Sequence, residues 1–373
     1  MNAVIMAGGY GSRLKPLTDA LPKPMLNICN RPMIDYCVAQ LAYYGLRDIV
    51  FSLGYSPERI IERAIGYVGI KTRFLVEDIP LGTLGGVKAA VDKLSDVFVV
   101  ISGDGLNDID LNALLNRHLA AKAEVTVAVK EVDDPSLYGV ANLGDDGFIK
   151  GFVEKPHDIK SAAFVNCGTY AINKSALSYI ARANCDFAKD LFPLLVARGK
   201  LGYYKHRGYW RDVGDFASYY HANFEMLGGG FFPSVRNLYD EGFGSSFVGG
   251  EDFPLAKGHE KIPLPTGAHE GFLDRGGVER SDGADTERNK SVGSLVANTA
   301  KIHGHISECI IGQGSMVDFG SSLSRCVVMP YAKVSGRHDG CIFGTDGVRI
   351  DVLDAANAQS GYGTVIMELR KNR

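Results

Sequence analysis

Short apolar runs alternate with stretches of helical periodicity over the first 130 residues of the chain. The runs at 3–7, 49–53, 72–76, 97–102 and 125–129 are bounded by polar or glycine positions and read as strands. Between them, residues 33–44 carry helical spacing and stop at Gly45, while Ser56-Pro57-Glu58 sets a capping hydroxyl before a proline at a first helical position. Strands alternating with helices build a mostly parallel sheet covered on both faces. Such sheets bind ligands beyond the carboxyl ends of their strands, so the residues just after each apolar run are where chemistry is expected. From 130 to 227 the pattern goes on, with 138–142, 148–153 and 163–172 extended and 177–181, 187–198 and 216–227 helical. The whole of 1–227 reads as one α/β domain with a mostly parallel sheet.

The pattern then changes twice. Gly228-Gly229-Gly230 opens a polar, glycine-rich stretch to residue 290 with no regular apolar period, which reads as a linker or insertion. From 291 to 373 a six-residue period takes over: Val296 and Ile302, then Ile311, Val317 and Leu323, then Val328 and Val334. Such a period marks a parallel β-helix, here a short left-handed one of two or three coils, with His303 and His305 in its loops. A homo-oligomer held through these coils is expected.

Composition narrows the function classes. The 373 residues carry a net charge of −3 and no run of Lys or Arg, unlike a general nucleic-acid or anionic-membrane binder. Seven cysteines are scattered without a C-x-x-C pair, so neither a zinc ribbon nor a disulfide framework is indicated and reduced thiols are expected. With no apolar stretch near the roughly 18 residues of a spanning helix, a soluble, cytoplasmic protein is expected. Anionic ligands must then be met by a few placed cations.

The first strand delivers those cations. It runs through Ala7 into Gly8-Gly9-Tyr10-Gly11-Ser12-Arg13-Leu14, where glycines let backbone N–H groups approach phosphate oxygens. Leu14 stands where a dinucleotide fingerprint needs its third glycine, and Lys15 precedes Pro16 rather than the Ser or Thr of a Walker A loop. Pro22 and Pro24 hold Lys23 in an extended, stiff frame, so that Arg13 and Lys23 beside the loop suit a triphosphate. Further on, the apolar run 97–101 ends in Ser102-Gly103-Asp104, and a carboxylate there is expensive unless paired or bound to a metal. Asp108 and Asp110 read as caps for the helix beginning at Leu111.

Gly8-Gly9-Tyr10-Gly11-Ser12-Arg13-Leu14 with Pro22-Lys23-Pro24-Met25 resembles the opening motif of the sugar-1-phosphate nucleotidyltransferases, the nucleotide-sugar pyrophosphorylases, with the bacterial mannose-1-phosphate guanylyltransferases nearest in character. The resemblance implies a Rossmann-like nucleotidyltransferase domain, Mg²⁺, and the reaction of an NTP with a sugar 1-phosphate to give an NDP-sugar and pyrophosphate. It implies catalytic roles for Arg13 and Lys23 and nucleotide contacts from Ala7, Gly8, Gly9, Gly11 and Ser12. Leu81-Gly82-Thr83-Leu84-Gly85 resembles the base-contacting segment, implying Gly82, Thr83 and Gly85, with Leu84 either crowding the base or turning into the core. Asp104 and Asp212 match the two metal-binding acids. Tyr138 and Gly139, Glu154 and Lys155 of Glu-Lys-Pro, and Asn166 match the sugar-phosphate contacts. GTP with mannose 1-phosphate is the expected pair; uridylyl, thymidylyl or adenylyl transfer to glucose 1-phosphate, or a catalytically silent regulatory homologue, are the alternatives.

Overall fold

The structure, a computed structural model, describes residues 1–156, 161–227, 245–248, 294–352 and 364–366. They form two compact units. The first contains Met1–Leu26 and Pro32–Gly214; the second contains Asn27–Arg31, the chain from Asp215 and the C-terminal strands. Residues 215–227, which the sequence pattern groups with the first domain, thus lie in the second unit.

In chain order the principal elements to residue 121 are β1 (Ala3–Ala7), α1 (Met33–Tyr43), β2 (Asp48–Leu53), α2 (Pro57–Ala64), β3 (Lys71–Val76), α3 (Gly82–Ala89), β4 (Val97–Ser102), β5 (Gly105–Asn107) and α4 (Leu111–Ala121). After them come β6 (Val125–Val132), β7 (Gly139–Leu143), β8 (Ile149–Glu154), β9 (Ala163–Asn173), α5 (Phe192–Ala197), β10 (Leu201–Lys205), β11 (Trp210–Asp212) and α6 (Phe216–Leu227).

Strands β4, β1, β2 and β3 pair in parallel in that order, and the long β9 attaches an antiparallel half of the sheet through β4, β6 and β7. Burial on both faces explains why β1 is an unbroken apolar run: Ala3, Ile5 and Ala7 face a core built with α1, while Val4 faces one built with α3 and α5. The sheet aligns the carboxyl ends of β1, β2, β3 and β4 along one edge, and the candidate chemistry follows those ends.

Two local expectations are corrected and a third is met in altered form. Residues 177–181 are not an α-helix; a 3-10 turn runs over Lys174–Tyr179. The helix expected over 187–198 begins as a π-helical turn, Phe187–Leu191, before α5. Pro193 has no N–H to give the carbonyl four residues back, so one continuous ladder cannot pass through it. Ser56 precedes α2 in a left-handed conformation and its hydroxyl makes no cap, although Pro57 opens the helix as expected.

In the second unit, parallel two- and three-residue strands succeed one another around three sheets. Val296, Ile311, Val328 and Phe343 stack on one, Ile302, Val317 and Val334 on the next, and Ile306 and Leu323 on the third. Returns of 15 and 17 residues replace the uniform six-residue step, because some corners are shorter than others. His303 sits between strands and stacks on Phe319, whereas His305 begins a strand. Of 228–290 only Ser245–Val248 is described; it is a strand paired antiparallel with Ser294–Ala297. The remainder of that stretch lies outside the described residues. All seven cysteines are buried and free. Among the described residues no helix is long and apolar enough to cross a membrane.

Candidate active site

The loop after β1 and the acids after β4 meet at one cavity of about 200 Å³, lined by Ala7, Gly9, Gly11, Ser12, Arg13, Lys23 and Asp104 among others. Gly11 adopts φ +63°, the left-handed conformation that turns the loop back over Lys23. Gly8 does not line the cavity; it packs against the backbone of Gly54, and a Cβ at Gly54 would come within 2.7 Å of the Gly8 carbonyl oxygen. That approach fixes the loop's starting point against the end of β2.

Lys23 is the centre of the cluster; it is not extended as expected but opens a 3-10 turn, Lys23–Met25, closed by the Met25 N–H on the Pro22 carbonyl at 2.8 Å. Its Nζ donates to Asp104 Oδ2 at 2.8 Å and lies 3.6 Å from Asp212 Oδ1. The two acids are far apart in sequence, and a short antiparallel ribbon brings them together: β5 pairs with β11, placing Asp212 opposite Gly105. The Val213 N–H then bonds the Asp104 carbonyl at 3.2 Å. Gly214 follows, and a Cβ there would meet Arg13 Nη2 at 2.9 Å and Asp212 Oδ2 at 3.1 Å, so the guanidinium lies across a position only glycine leaves open.

The electrostatics separate the two acids. Burial opposes ionisation of Asp104, but the Lys23 charge and hydrogen bond, with the Ser102 hydroxyl donating at 2.5 Å, outweigh it and hold the carboxyl below its usual range. At Asp212, burial raises the carboxyl and the nearby Asp104 charge adds to it, while Lys23 and Arg13 only partly offset them. Lys23 itself would be driven down by burial, yet the two carboxylates hold it above its ordinary value.

A second group lies at the antiparallel half. Tyr138 packs edge-on against Trp210, ring centroids 5.1 Å apart, and the Trp210 indole N–H donates to the Cys167 carbonyl at 3.0 Å. Asn166 accepts from the Gly168 N–H and donates to the Tyr170 hydroxyl, both at 2.9 Å, around an irregularity in the β9–β6 pairing. Gly139 stands opposite Glu154, where a Cβ would come within 2.7 Å of Glu154 Oε2. Lys155 is exposed, at φ +49°, with its Nζ 3.8 Å from Glu154 Oε1.

Gly82, Thr83 and Gly85 are not among the cavity-lining residues. The Leu84 and Gly85 N–H groups both donate to the Cys185 carbonyl at 3.0 Å, and Thr83 Oγ1 donates to Asp186 Oδ1 at 3.0 Å. Cβ atoms at Gly82 and Gly85 would strike the Cys185 and Ala183 carbonyl oxygens, so these glycines serve close packing of α3 on that segment. Leu84 is fully buried and turns into the core. Asp110 caps α4 through the Ala113 N–H at 2.9 Å; Asp108 instead pairs with His206 at 3.0 Å.

Sequence reasoning passed over Gly214, Trp210 and Glu77. Glu77 follows β3 and takes the Ser52 hydroxyl and the Leu81 N–H at 2.9 Å each, with Oε1 3.8 Å from a Cβ built on Gly8. A carboxylate after an apolar run was the usable signal, the same one that marked Asp104.

A glycine loop at the end of a central parallel strand thus has two cations and two carboxylates converging beside it. The chain belongs to the Nucleotidyl transferase family, whose sequence profile matches residues 2–228. It is 38% identical over 229 residues to the mannose-1-phosphate guanyltransferase of Candida albicans and 36% identical to that of Saccharomyces cerevisiae, covering 58% of this chain in each case. The match spans 63% of the length of each of these relatives. Among solved structures it resembles HddC from Yersinia pseudotuberculosis, at 29% identity and TM-score 0.55 over 60% of this chain and 99% of that one. HddC is also solved complexed with GMP-PN. A putative glucose-1-phosphate thymidylyltransferase from Bacillus anthracis matches at 30% identity and TM-score 0.55, over 60% of this chain and 94% of that one.

Proposed function

We propose that this chain transfers a nucleotidyl group from a nucleoside triphosphate to a sugar 1-phosphate, with GTP and mannose 1-phosphate as the pair. The observation that carries the reading is the buried Lys23 held between Asp104 and Asp212 against the glycine loop. The mannose-1-phosphate guanyltransferase relatives, and the GMP-PN complex of HddC, support the choice of substrates.

In this reading an oxygen of the sugar phosphate attacks the α-phosphorus, the bond to the bridging oxygen breaks, and pyrophosphate leaves. No covalent enzyme intermediate is needed, so catalysis is positioning and charge stabilisation. Gly9, Gly11 and Ser12 hold the triphosphate, Arg13 meets the leaving pyrophosphate, and Lys23 bridges phosphates. Lys155 holds the acceptor phosphate, with Tyr138, Gly139, Glu154 and Asn166 around the sugar.

Asp104 and Asp212 fit a Mg²⁺ ion, which takes one or two carboxylates and completes its shell with phosphate oxygens and water. Among the described residues no group of three or more His, Cys, Asp and Glu could hold a metal without substrate. Bound there, the ion would neutralise charge on the triphosphate. The left-handed hand of the coils and their use in homo-oligomerisation belong to the same proposal, the latter supported by Phe319, 82% exposed on a coil corner.

The test crosses five nucleoside triphosphates with mannose, glucose, galactose and N-acetylglucosamine 1-phosphates and measures pyrophosphate release. GTP with mannose 1-phosphate should be fastest. A faster thymidylyl or uridylyl pair would replace the substrates, and release with none would reject the enzyme.

A further inference from the structure

Lys23 and Asp212 share an ion pair, and the chain passes into the second unit soon after each of them, at Asn27 and at Asp215. Within that unit the two departing segments are bonded to each other. Asn223 of α6 is fully buried, and its Oδ1 accepts the Cys29 N–H at 2.9 Å. Its Nδ2 donates to the Tyr219 carbonyl at 3.0 Å, and the Cys29 thiol donates to the Asn223 carbonyl at 3.2 Å. One turn back on α6, the Tyr219 hydroxyl donates to the Asn27 carbonyl at 2.7 Å. Cys29 and Asn30 are held at φ +47° and +63°, a backbone that side-chain-bearing residues adopt when their surroundings fix it. The start of α6 is fixed as well, since Asp215 and Ser218 cap each other through both backbone N–H groups.

We infer that Asn223 is a positioning residue for nucleotidyl transfer: with Tyr219 it ties α6 to Asn27–Arg31, and so fixes the two chain exits that carry Lys23 and Asp212. The inference rests on the function proposed above. A buried asparagine that only stabilised the second unit would also satisfy these bonds, so the test must read the catalytic segments themselves. Two features make that possible. Trp210, the sole tryptophan, lies two residues before Asp212 and reports on β11 whatever the substrate. Tyr220, the next residue on α6, sends its hydroxyl to the Arg325 carbonyl of the coil at 2.8 Å and takes no part in the tie to Asn27–Arg31.

Asn223→Ala should lower kcat by about 10- to 100-fold, the scale of a misplacement near 1 Å at the reacting groups, while both KM values hold within about threefold. Tyr219→Phe, which removes one oxygen and leaves the packing, should lower kcat by about 10-fold. Both should shift Trp210 emission in the ligand-free protein. Tyr220→Phe should leave kcat and emission as in the wild type. Wild-type kcat and emission in Tyr219→Phe, or an equal loss in Tyr220→Phe, would overturn the inference. Should the wild type release pyrophosphate with no substrate pair, the proposed function fails, and the emission shifts alone decide whether α6 sets the geometry of β11.

Discussion

Two lysines at opposite ends of the site are assigned to phosphates, and both stand immediately before a proline, yet their physical states are opposite. The Lys23 side chain is 9% exposed and has two carboxylates within reach; that of Lys155 is 60% exposed with one carboxylate 3.8 Å away. A lysine taken out of water stays charged only if fixed counter-charges compensate. Lys23 is therefore locked into a network before any substrate arrives. Lys155 stands open to solvent beside Glu154. In the proposed function, one end of the site is then preorganised and the other is assembled on binding.

The strongest way to break this contrast is at the preorganised end. Lys23→Ala and Asp104→Asn should each lower turnover on the order of 10²–10³-fold, the scale of losing a transition-state group. Their stabilities should differ. Lys23→Ala leaves Asp104 and Asp212 facing each other and should cost about 1–3 kcal/mol, a melting temperature lower by a few degrees. Asp104→Asn leaves Lys23 with Asp212 and should melt near the wild type. Equal melting temperatures for all three proteins would show that the Lys23 network holds nothing together.

At the open end the losses should fall on binding. Lys155→Ala should raise KM for the sugar 1-phosphate by about 10-fold, the worth of one charge-assisted hydrogen bond. Its melting temperature should not move, because the ion pair it removes is exposed. Gly139→Ala has a smaller expected effect on affinity, a few-fold by the same scale, but it crowds Phe152 and Glu154 and should cost about 1–3 kcal/mol of stability. A wild-type KM in Gly139→Ala would detach Glu154 from sugar binding.

How much of this was legible in the sequence follows from the range of the contacts. The central strands were readable because both their faces are buried, which forces unbroken apolar runs such as 97–101. The Gly8–Lys23 segment was readable because its glycines and prolines state their backbone requirements locally. The meeting of Asp104 with Asp212 depends on the β5–β11 ribbon, and three-residue strands leave almost no pattern. Gly82 and Gly85 carried a real signal, close backbone approach, and the fold brings the carbonyls of Cys185 and Ala183 against them, partners that the local sequence does not name. The tie between Asn27–Arg31 and α6 was invisible for the same reason, since a lone Asn223 in a helical pattern announces no partner.

Ionic strength sharpens the contrast with the smallest expected effect. Raising salt from about 0.05 to 0.5 M shortens the screening length from over 10 Å to below 5 Å, which weakens exposed charges far more than recessed ones. In the wild type, KM for the sugar 1-phosphate should rise a few-fold over this range, and part of that rise comes from Lys155. Lys155→Ala should show a visibly flatter dependence, whereas Lys23, enclosed with its two acids, should leave the salt dependence of kcat nearly flat in both proteins. Salt also screens the substrates from the rest of the protein, so the informative quantity is the difference in slope between the two proteins. Parallel slopes would mean that Lys155 is no nearer the acceptor phosphate than any other surface cation, and the division into a locked end and an open end would lose its second half.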